Sequence, residues 1–437
     1  MGTAGRAEHI ARSVRGLRRV RRPAAASGPE FDLHYVRQPA TGARPAGLPI
    51  VIVPGGPGLG SLVLFASLRA RAARAGLDVI MIEHRGIGLS RCDTDGADLP
   101  REAMRVAAVA DDIAAVLDAE SVPEAVLAGS SYGSYAVQAF AADHPARTAA
   151  LVLDSAMIDA SFPQRIEDYS LQLLFEGHPP AELSEIGPVP GIAGPVDPAA
   201  DLPGTERVAM KIRDLAGSQL IGQQDLGRMV RSVFECAGVG TLDRLLNQIA
   251  LGRAGWTQAL LTKLTTAELE SHRPHIMEFD LVGEIAVREL GYVLPGRGSL
   301  FDFSADFGDA GGRFTPFAGE PYSLPAALKR LQAPVTVISG NRDLRTPRSI
   351  AARIAADAPD GALIPVAGHG HSALDTHAGL FLAVVTAHAA GRRPRADELA
   401  AASRRRSGSG SHRLGGMLRA SLLADRLRPA SQRPSQR

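Results

Sequence analysis

A serine with glycines two residues before and two after it, Gly129-Ser130-Ser131-Tyr132-Gly133, is the segment of this chain best suited to chemistry. Glycines at that spacing let the backbone turn sharply from strand into helix, holding the Ser131 hydroxyl at the apex with a helix N-terminus behind it. The context agrees: Ala125-Val126-Leu127-Ala128 is an apolar run short enough for a buried strand, and Tyr135 to Ala141 reads as a helix rich in small residues. A hydroxyl is a poor nucleophile until a base takes its proton, and the base needs a third group to hold it. Around such a turn the partners follow in the order serine, acid, histidine. Asp343, in Ser339-Gly340-Asn341-Arg342-Asp343 after a strand ending at Ile338, is the expected acid. Asp154, after an earlier strand, competes with it but reads better as a turn or helix cap.

Ala367-Gly368-His369-Gly370-His371 follows a strand ending at Val366, and of twelve histidines only His369, His371 and His377 lie just beyond that strand. The glycines flanking His369 let the backbone bring it close to the serine, which makes it the expected base ahead of His371. A developing oxyanion needs amide donors already in place. They are expected from Tyr132 and from Gly55-Gly56 in the loop Pro54-Gly55-Gly56-Pro57-Gly58, which lacks the lysine and hydroxyl of a nucleotide-binding loop.

These residues need a frame, and the sequence supplies one. From about residue 31 strand-like runs (31–36, 49–53, 78–82, 125–128, 149–153) alternate with helical spacing at 62–75 and 101–118. That alternation predicts an α/β fold with a mostly parallel central sheet covered by helices on both faces. It stops at Asp154, gives way to helical patterns with Pro/Gly-rich stretches at 187–204 and 308–319, and resumes at Pro334. A helical block between two halves of one sheet is expected to be an inserted lid. The organisation predicted is a basic N-terminal tail (1–29), a core (30–154 and 325–390), a lid (155–324) and a basic C-terminal tail (391–437). Both tails are expected to be disordered, on composition.

With 437 residues, 45% hydrophobic content, 22% charge and a formal net charge of +2, the chain can bury a sizeable core and has no bias toward nucleic acid. Arginines crowd both ends (Arg12 to Arg22, Arg392 to Arg406); contact with nucleic acid or anionic lipid is the less favoured reading of them beside plain solvation. No run of 18 or more apolar residues could span a bilayer, and the basic N-terminus lacks a signal-peptide apolar region, so a cytoplasmic protein is expected. Cys92 and Cys236 are expected to be thiols, with one bridge as the alternative. No cofactor is expected, nor a metal: His369 and His371 lie two apart without a cysteine or carboxylate cluster to complete a site.

The chain resembles α/β-hydrolases of the proline iminopeptidase and tripeptidyl aminopeptidase group in PGGPG (54–58), EHRGIGLS (83–90), GSSYGSY (129–135), GNRDLRTP (340–347) and AGHGHS (367–372). The resemblance covers roughly residues 30–390. It implies Ser131 as nucleophile, Asp343 as acid, His369 as base, and Gly56 and Tyr132 as oxyanion donors. Two departures stand out: Pro54 where the group often has His, and Glu83-His84 where it usually has Asp-Gln. In such peptidases lid carboxylates bind the substrate's free amino group. By that analogy Glu289, in Glu284-Ile285-Ala286-Val287-Arg288-Glu289, is the substrate-binding candidate, set against an ordinary helix charge paired with Arg288.

The expected function is therefore a serine hydrolase, first an aminopeptidase releasing N-terminal residues from short peptides. A carboxylesterase acting on a hydrophobic small-molecule ester is the alternative, and a non-catalytic ligand-binding protein of the same fold the third. Dehalogenase and epoxide-hydrolase chemistry would need a carboxylate where Ser131 stands. Oligomeric state has no signature in the sequence.

Overall fold

Eight strands form one sheet in the order β1-β2-β4-β3-β5-β6-β7-β8. In this computed structural model, residues 9–42, 47–178, 202–218, 220–270, 272–307, 312–403 and 410–427 are described. The strands are β1 (Leu17–Pro23), β2 (Glu30–Gln38), β3 (Ile50–Val53), β4 (Val79–Ile82), β5 (Ala125–Ser130), β6 (Thr148–Asp154), β7 (Val335–Gly340) and β8 (Gly361–Val366). β3 pairs parallel with β4 and β5, and β5 through β8 continue in parallel, in the register Val51–Leu127–Leu151–Val335–Gly361. β1 and β2 run antiparallel at one edge.

The apolar runs produce this sheet because both of its faces are covered. Along β3, Val51 packs into one core while Ile50 and Ile52 pack into the other. Leu127 against Val126 and Ala128 on β5 divides in the same way, as the two-residue side-chain period requires. The helices of the first half are α1 (Ala66–Arg74), α2 (Val106–Ala119) and α3 (Tyr132–Asp143). Between β6 and β7 lie α4 (Phe162–Ser170), α5 (Thr205–Ala216), α6 (Gln223–Ala237), α7 (Val239–Ala250), α8 (Gly255–Glu270), α9 (Gly283–Arg288) and the short α10 (Leu324–Leu328). This is the helical insertion expected between the two halves of the sheet. Most of the Pro/Gly-rich stretch 187–204 lies outside the described residues. After β7 come α11 (Arg348–Asp357), α12 (Ala373–Thr376), α13 (Ala378–Ala389), α14 (Ala396–Ser403) and α15 (Gly410–Arg426).

The described parts of both tails, 9–29, 391–403 and 410–427, depart from the disorder expected of them. The arginine-rich stretch at the N-terminus forms β1, zipped to β2 from Leu17↔Val36 to Pro23↔Glu30. Its charges find acids distant in sequence: Arg19 meets Asp32 at 2.7 Å, Arg22 meets Asp112 at 2.9 Å, and Arg18 meets Glu120. At the C-terminal end, α15 buries Leu418 and Leu422, and Asp425 turns its carboxylate onto the first turn of α8. Low apolar content did not preclude order in either segment, because each borrows a finished surface to dock on. Cys92 and Cys236 are both thiols, and no helix among the described residues is long and apolar enough to cross a membrane.

Candidate active site

Ser131 stands between the last residue of β5 and the first of α3 with φ 54° and ψ −123°. A left-handed φ is costly for a residue with a Cβ, and here the neighbours enforce it. The Ser131 N–H donates to the Asp154 carbonyl (2.9 Å), while the Ser131 carbonyl accepts from the Ser134 hydroxyl (2.5 Å), which in turn accepts from the Met157 N–H (2.9 Å). Gly133 is required by close approach. A Cβ there would stand 2.5 Å from the Pro54 carbonyl oxygen and closer still to that of Val53. A Cβ on Gly129 would overlap the Gly133 carbonyl.

The loop after β3 closes over the serine. A Cβ on Gly55 would lie 3.2 Å from Ser131 Cβ and 3.8 Å from its Oγ, so this loop rests against the hydroxyl. Gly56 has φ +124°, and its carbonyl accepts a hydrogen bond from the Tyr292 hydroxyl of the insertion (3.0 Å). Tyr132 is the first residue of α3, where backbone N–H groups have no partner within the helix. Its phenol donates to Nε2 of His84 (2.8 Å), whose Nδ1 lies 2.5 Å from the Arg85 carbonyl. Burial lowers the His84 pKa to about 4, so the ring is neutral, with its proton on Nδ1. Thus His84 braces the helix turn beside Ser131, a role that the sequence did not disclose.

Asp343 and a histidine meet as expected, but the histidine is His371 rather than His369. His371 Nδ1 lies 3.0 and 3.1 Å from the two carboxylate oxygens of Asp343. Asp343 is fully buried and also accepts from the N–H groups of Arg345 (3.0 Å) and Thr346 (2.9 Å) and from the Thr346 hydroxyl (2.8 Å). Burial opposes both charges, yet the pairing wins: the Asp343 pKa lies below the ordinary carboxylate value and that of His371 above the ordinary imidazole one. His369 is turned away. Its Nδ1 faces the Ala367 carbonyl (2.9 Å), its ring stacks on His377 at 4.6 Å, and its own carbonyl accepts from Arg342 N–H (2.8 Å). Of the glycines beside it, Gly370 serves packing, since a Cβ there would crowd the Glu235 carbonyl of α6, and Gly368 serves a turn at φ +70°.

Asp154 is the cap that its position suggested. Its oxygens accept from the N–H groups of Ala373 (2.9 Å) and Leu374 (2.8 Å) and from the Ser130 hydroxyl (2.9 Å), fixing the segment that follows His371. Glu235 of α6 reaches the acid loop, accepting from Leu344 N–H (3.2 Å) and pairing with Arg345 at 3.3 Å. Gly55 and Tyr132 thus flank Ser131, the Asp343–His371 pair lies on the loops after β7 and β8, and the Ser130 and Ser372 hydroxyls, 2.9 Å apart, link the two groups.

Glu289 does not join them through its carboxylate. One oxygen accepts from Val106 N–H at the start of α2 (2.8 Å), and the other pairs with Arg288 at 3.3 Å. Glu284 is engaged likewise, with Thr315 N–H (3.2 Å) and Arg288 (3.3 Å). The sequence could not show this, because the N-terminus of α2 lies 183 residues from its capping carboxylate.

Glu83 carries a testable consequence. Buried, it accepts from Ser61 N–H (2.7 Å) and Leu62 N–H (3.2 Å), just after the glycine loop. Burial first, and the nearby Glu278 charge, raise its pKa from 4.5 to about 7. A raised acid pKa means stability that is present below the unfolded value and is lost as pH climbs through the folded one. The loss therefore falls between pH 4.5 and about 7 and amounts to about 3 kcal/mol. Urea unfolding at stepped pH should show that decline in the wild type and a flatter profile in Glu83→Gln, whose amide oxygen still accepts both N–H groups.

Against known proteins, the family described as alpha/beta hydrolase fold matches residues 49–180. No curated protein matches the sequence. Among solved structures, a proline iminopeptidase from Mycobacterium smegmatis is 18% identical over 88% of this chain and 100% of that one, with a TM-score of 0.47. A thermophilic esterase from Thermogutta terrifontis is 19% identical over 81% and 91%, with a TM-score of 0.37. A putative aryl esterase from Burkholderia cenocepacia is 17% identical over 82% and 92%, with a TM-score of 0.40. The chain has the α/β-hydrolase fold, and its chemistry must be argued from its own side chains.

Proposed function

We propose that the chain is a serine hydrolase that cleaves a small ester or amide through an acyl group carried on Ser131. His371 Nε2 takes the Ser131 proton as the hydroxyl attacks the carbonyl, then returns it to the leaving group. Asp343 keeps the other imidazole proton on Nδ1 and stabilises the imidazolium. The N–H groups of Tyr132 and Gly56 hold the oxyanion, and water releases the acyl group by the same steps in reverse roles. The observation that carries this reading is the pairing of His371 with the buried Asp343 at the carboxyl ends of β7 and β8, on the same sheet edge as a serine held at φ 54°.

The insertion acts as the lid, and its aromatic side chains favour an apolar acyl group. Tyr292, whose hydroxyl holds the Gly56 carbonyl, lies edge-on to Phe162 at 4.9 Å and to Phe307 at 5.6 Å. An uncharged ester of moderate size is thus the first substrate class. Release of an N-terminal residue from a short peptide is the second reading, favoured by the PGGPG and GSSYG segments. It requires an amine-binding carboxylate other than Glu289 and Glu284, which are already engaged.

Aryl esters of graded acyl length, tested beside prolyl and alanyl arylamides, separate the two, with Ser131→Ala as the blank and a fluorophosphonate probe to count reactive serines. Turnover of arylamides alone would move the peptidase reading to first place; failure of the probe to label the wild type would end the hydrolase reading.

The pH dependence has a definite sign. The base must be neutral, so kcat/KM rises with pH, and because Asp343 raises the His371 pKa the rise is centred above 6.5. In Asp343→Asn the residual activity should show a lower midpoint, read from a pH profile of hydrolysis.

A further inference from the structure

The outer face of α15 has no use in the chemistry above. At 100° per residue Met417, Ala420, Leu423, Ala424 and Leu427 fall within one arc of about 120°. Leu418, Leu422 and Asp425 lie on the opposite side, buried against the insertion. The outward arc is open: Met417 is 52% exposed, Leu423 59% and Leu427 83%. Asp425 brings a second apolar group alongside. Its carboxylate accepts from Trp256 N–H (3.2 Å), Thr257 N–H (3.0 Å) and the Thr257 hydroxyl (2.7 Å), which sets the exposed Trp256 beside the C-terminal end of α15. Leu251, 59% exposed, lies just ahead of α8.

Charge decides what this face suits. Arg413 is exposed within the arc, and Arg419 and Arg426 are exposed along one edge of it. The one acid of α15, Asp425, is spent as the cap of α8. The flanking sequence adds Arg404, Arg405 and Arg406 ahead of the helix and Arg428, Arg433 and Arg437 behind it. Two copies of the chain meeting here would set arginine against arginine. An anionic bilayer surface would neutralise those charges and take the leucines and the indole into its headgroup layer, while arginine stems lie along it.

We propose that the exposed face of α15, with Trp256, is a peripheral docking surface for anionic phospholipid headgroups. The helix lies in the interface plane and does not span the bilayer. Its seat on α6, α7 and α8 brings the insertion to the lipid, so that apolar acyl substrates dissolved in the bilayer are presented near the lid.

The test floats the full chain with phosphatidylcholine vesicles, with or without one part in four of phosphatidylglycerol, at low and high salt. Trp256 is the only tryptophan of the chain, so its emission reports the surface directly. The expected result is flotation with the anionic vesicles alone, a blue shift of Trp256 emission, and release by salt. Leu423→Ser combined with Leu427→Ser should weaken binding about tenfold or more while hydrolysis of a water-soluble ester is unchanged. Absence of flotation at low salt overturns the proposal. So does flotation that leaves Trp256 emission and the double variant's affinity unchanged, because arginines elsewhere would then carry it. A dimer, seen in sedimentation velocity without vesicles and dissolved by the double variant, would make a second copy the occupant. The hydrolase reading survives each of these outcomes.

Discussion

Replacing His371 with alanine should lower kcat/KM by roughly a thousandfold or more, whereas His369→Ala should change it less than about threefold. The contrast is sharp because the two rings lie two residues apart in one loop and differ only in what they face. His371 has the Asp343 carboxylate on Nδ1, and that bond fixes both the tautomer and the orientation a base needs. His369 is held by a main-chain carbonyl and by His377, so its loss removes a stacking contact at a partly exposed position. Esterase kinetics on both variants, with thermal unfolding to show that each is folded, decides the matter. Equal loss in both would mean that the loop, rather than one imidazole, was being measured.

The second large effect belongs to a residue with no side chain. Gly133→Ala should destabilise the fold by about 3–5 kcal/mol and abolish rapid labelling by a fluorophosphonate. The added carbon would meet the Val53 and Pro54 carbonyl oxygens, backbone atoms at the end of a central strand and the start of its loop. Relief requires α3 to move off the sheet, and Ser131 moves with it. Gly416→Ala is the control: a Cβ there meets nothing within 4 Å, so the helix should gain up to about 1 kcal/mol. Urea unfolding of both variants measures the difference.

Much of this architecture was readable from the chain. Short apolar runs such as Ile50–Val53 mark buried parallel strands, and the glycine spacing around Ser131 marks a turn that excludes a Cβ. The place of Asp343 just past β7 was readable because position at a strand end is a local property. The choice between His369 and His371 was not, because it depends on which way a short loop faces. Flanking glycines signal close backbone approach, and here the approach is that of Gly370 to Glu235 rather than of an imidazole to the serine. The engagement of Glu289 was hidden for a related reason: a carboxylate on a helix looks the same whether it awaits an amine or caps a helix far away in sequence. β1 and α15 were hidden by their composition, since arginine-rich strands and Gly-Gly helices gain order only from the surfaces they meet.

Asp154 has an implication for how this centre could be retuned. Its carboxylate grips the main chain just past His371, while Asp343 orients the ring itself and sets its basicity. An exchange at 154 would therefore loosen the segment behind the ring even with the Asp343 carboxylate in place, whereas an exchange at 343 would alter proton affinity and ring orientation together.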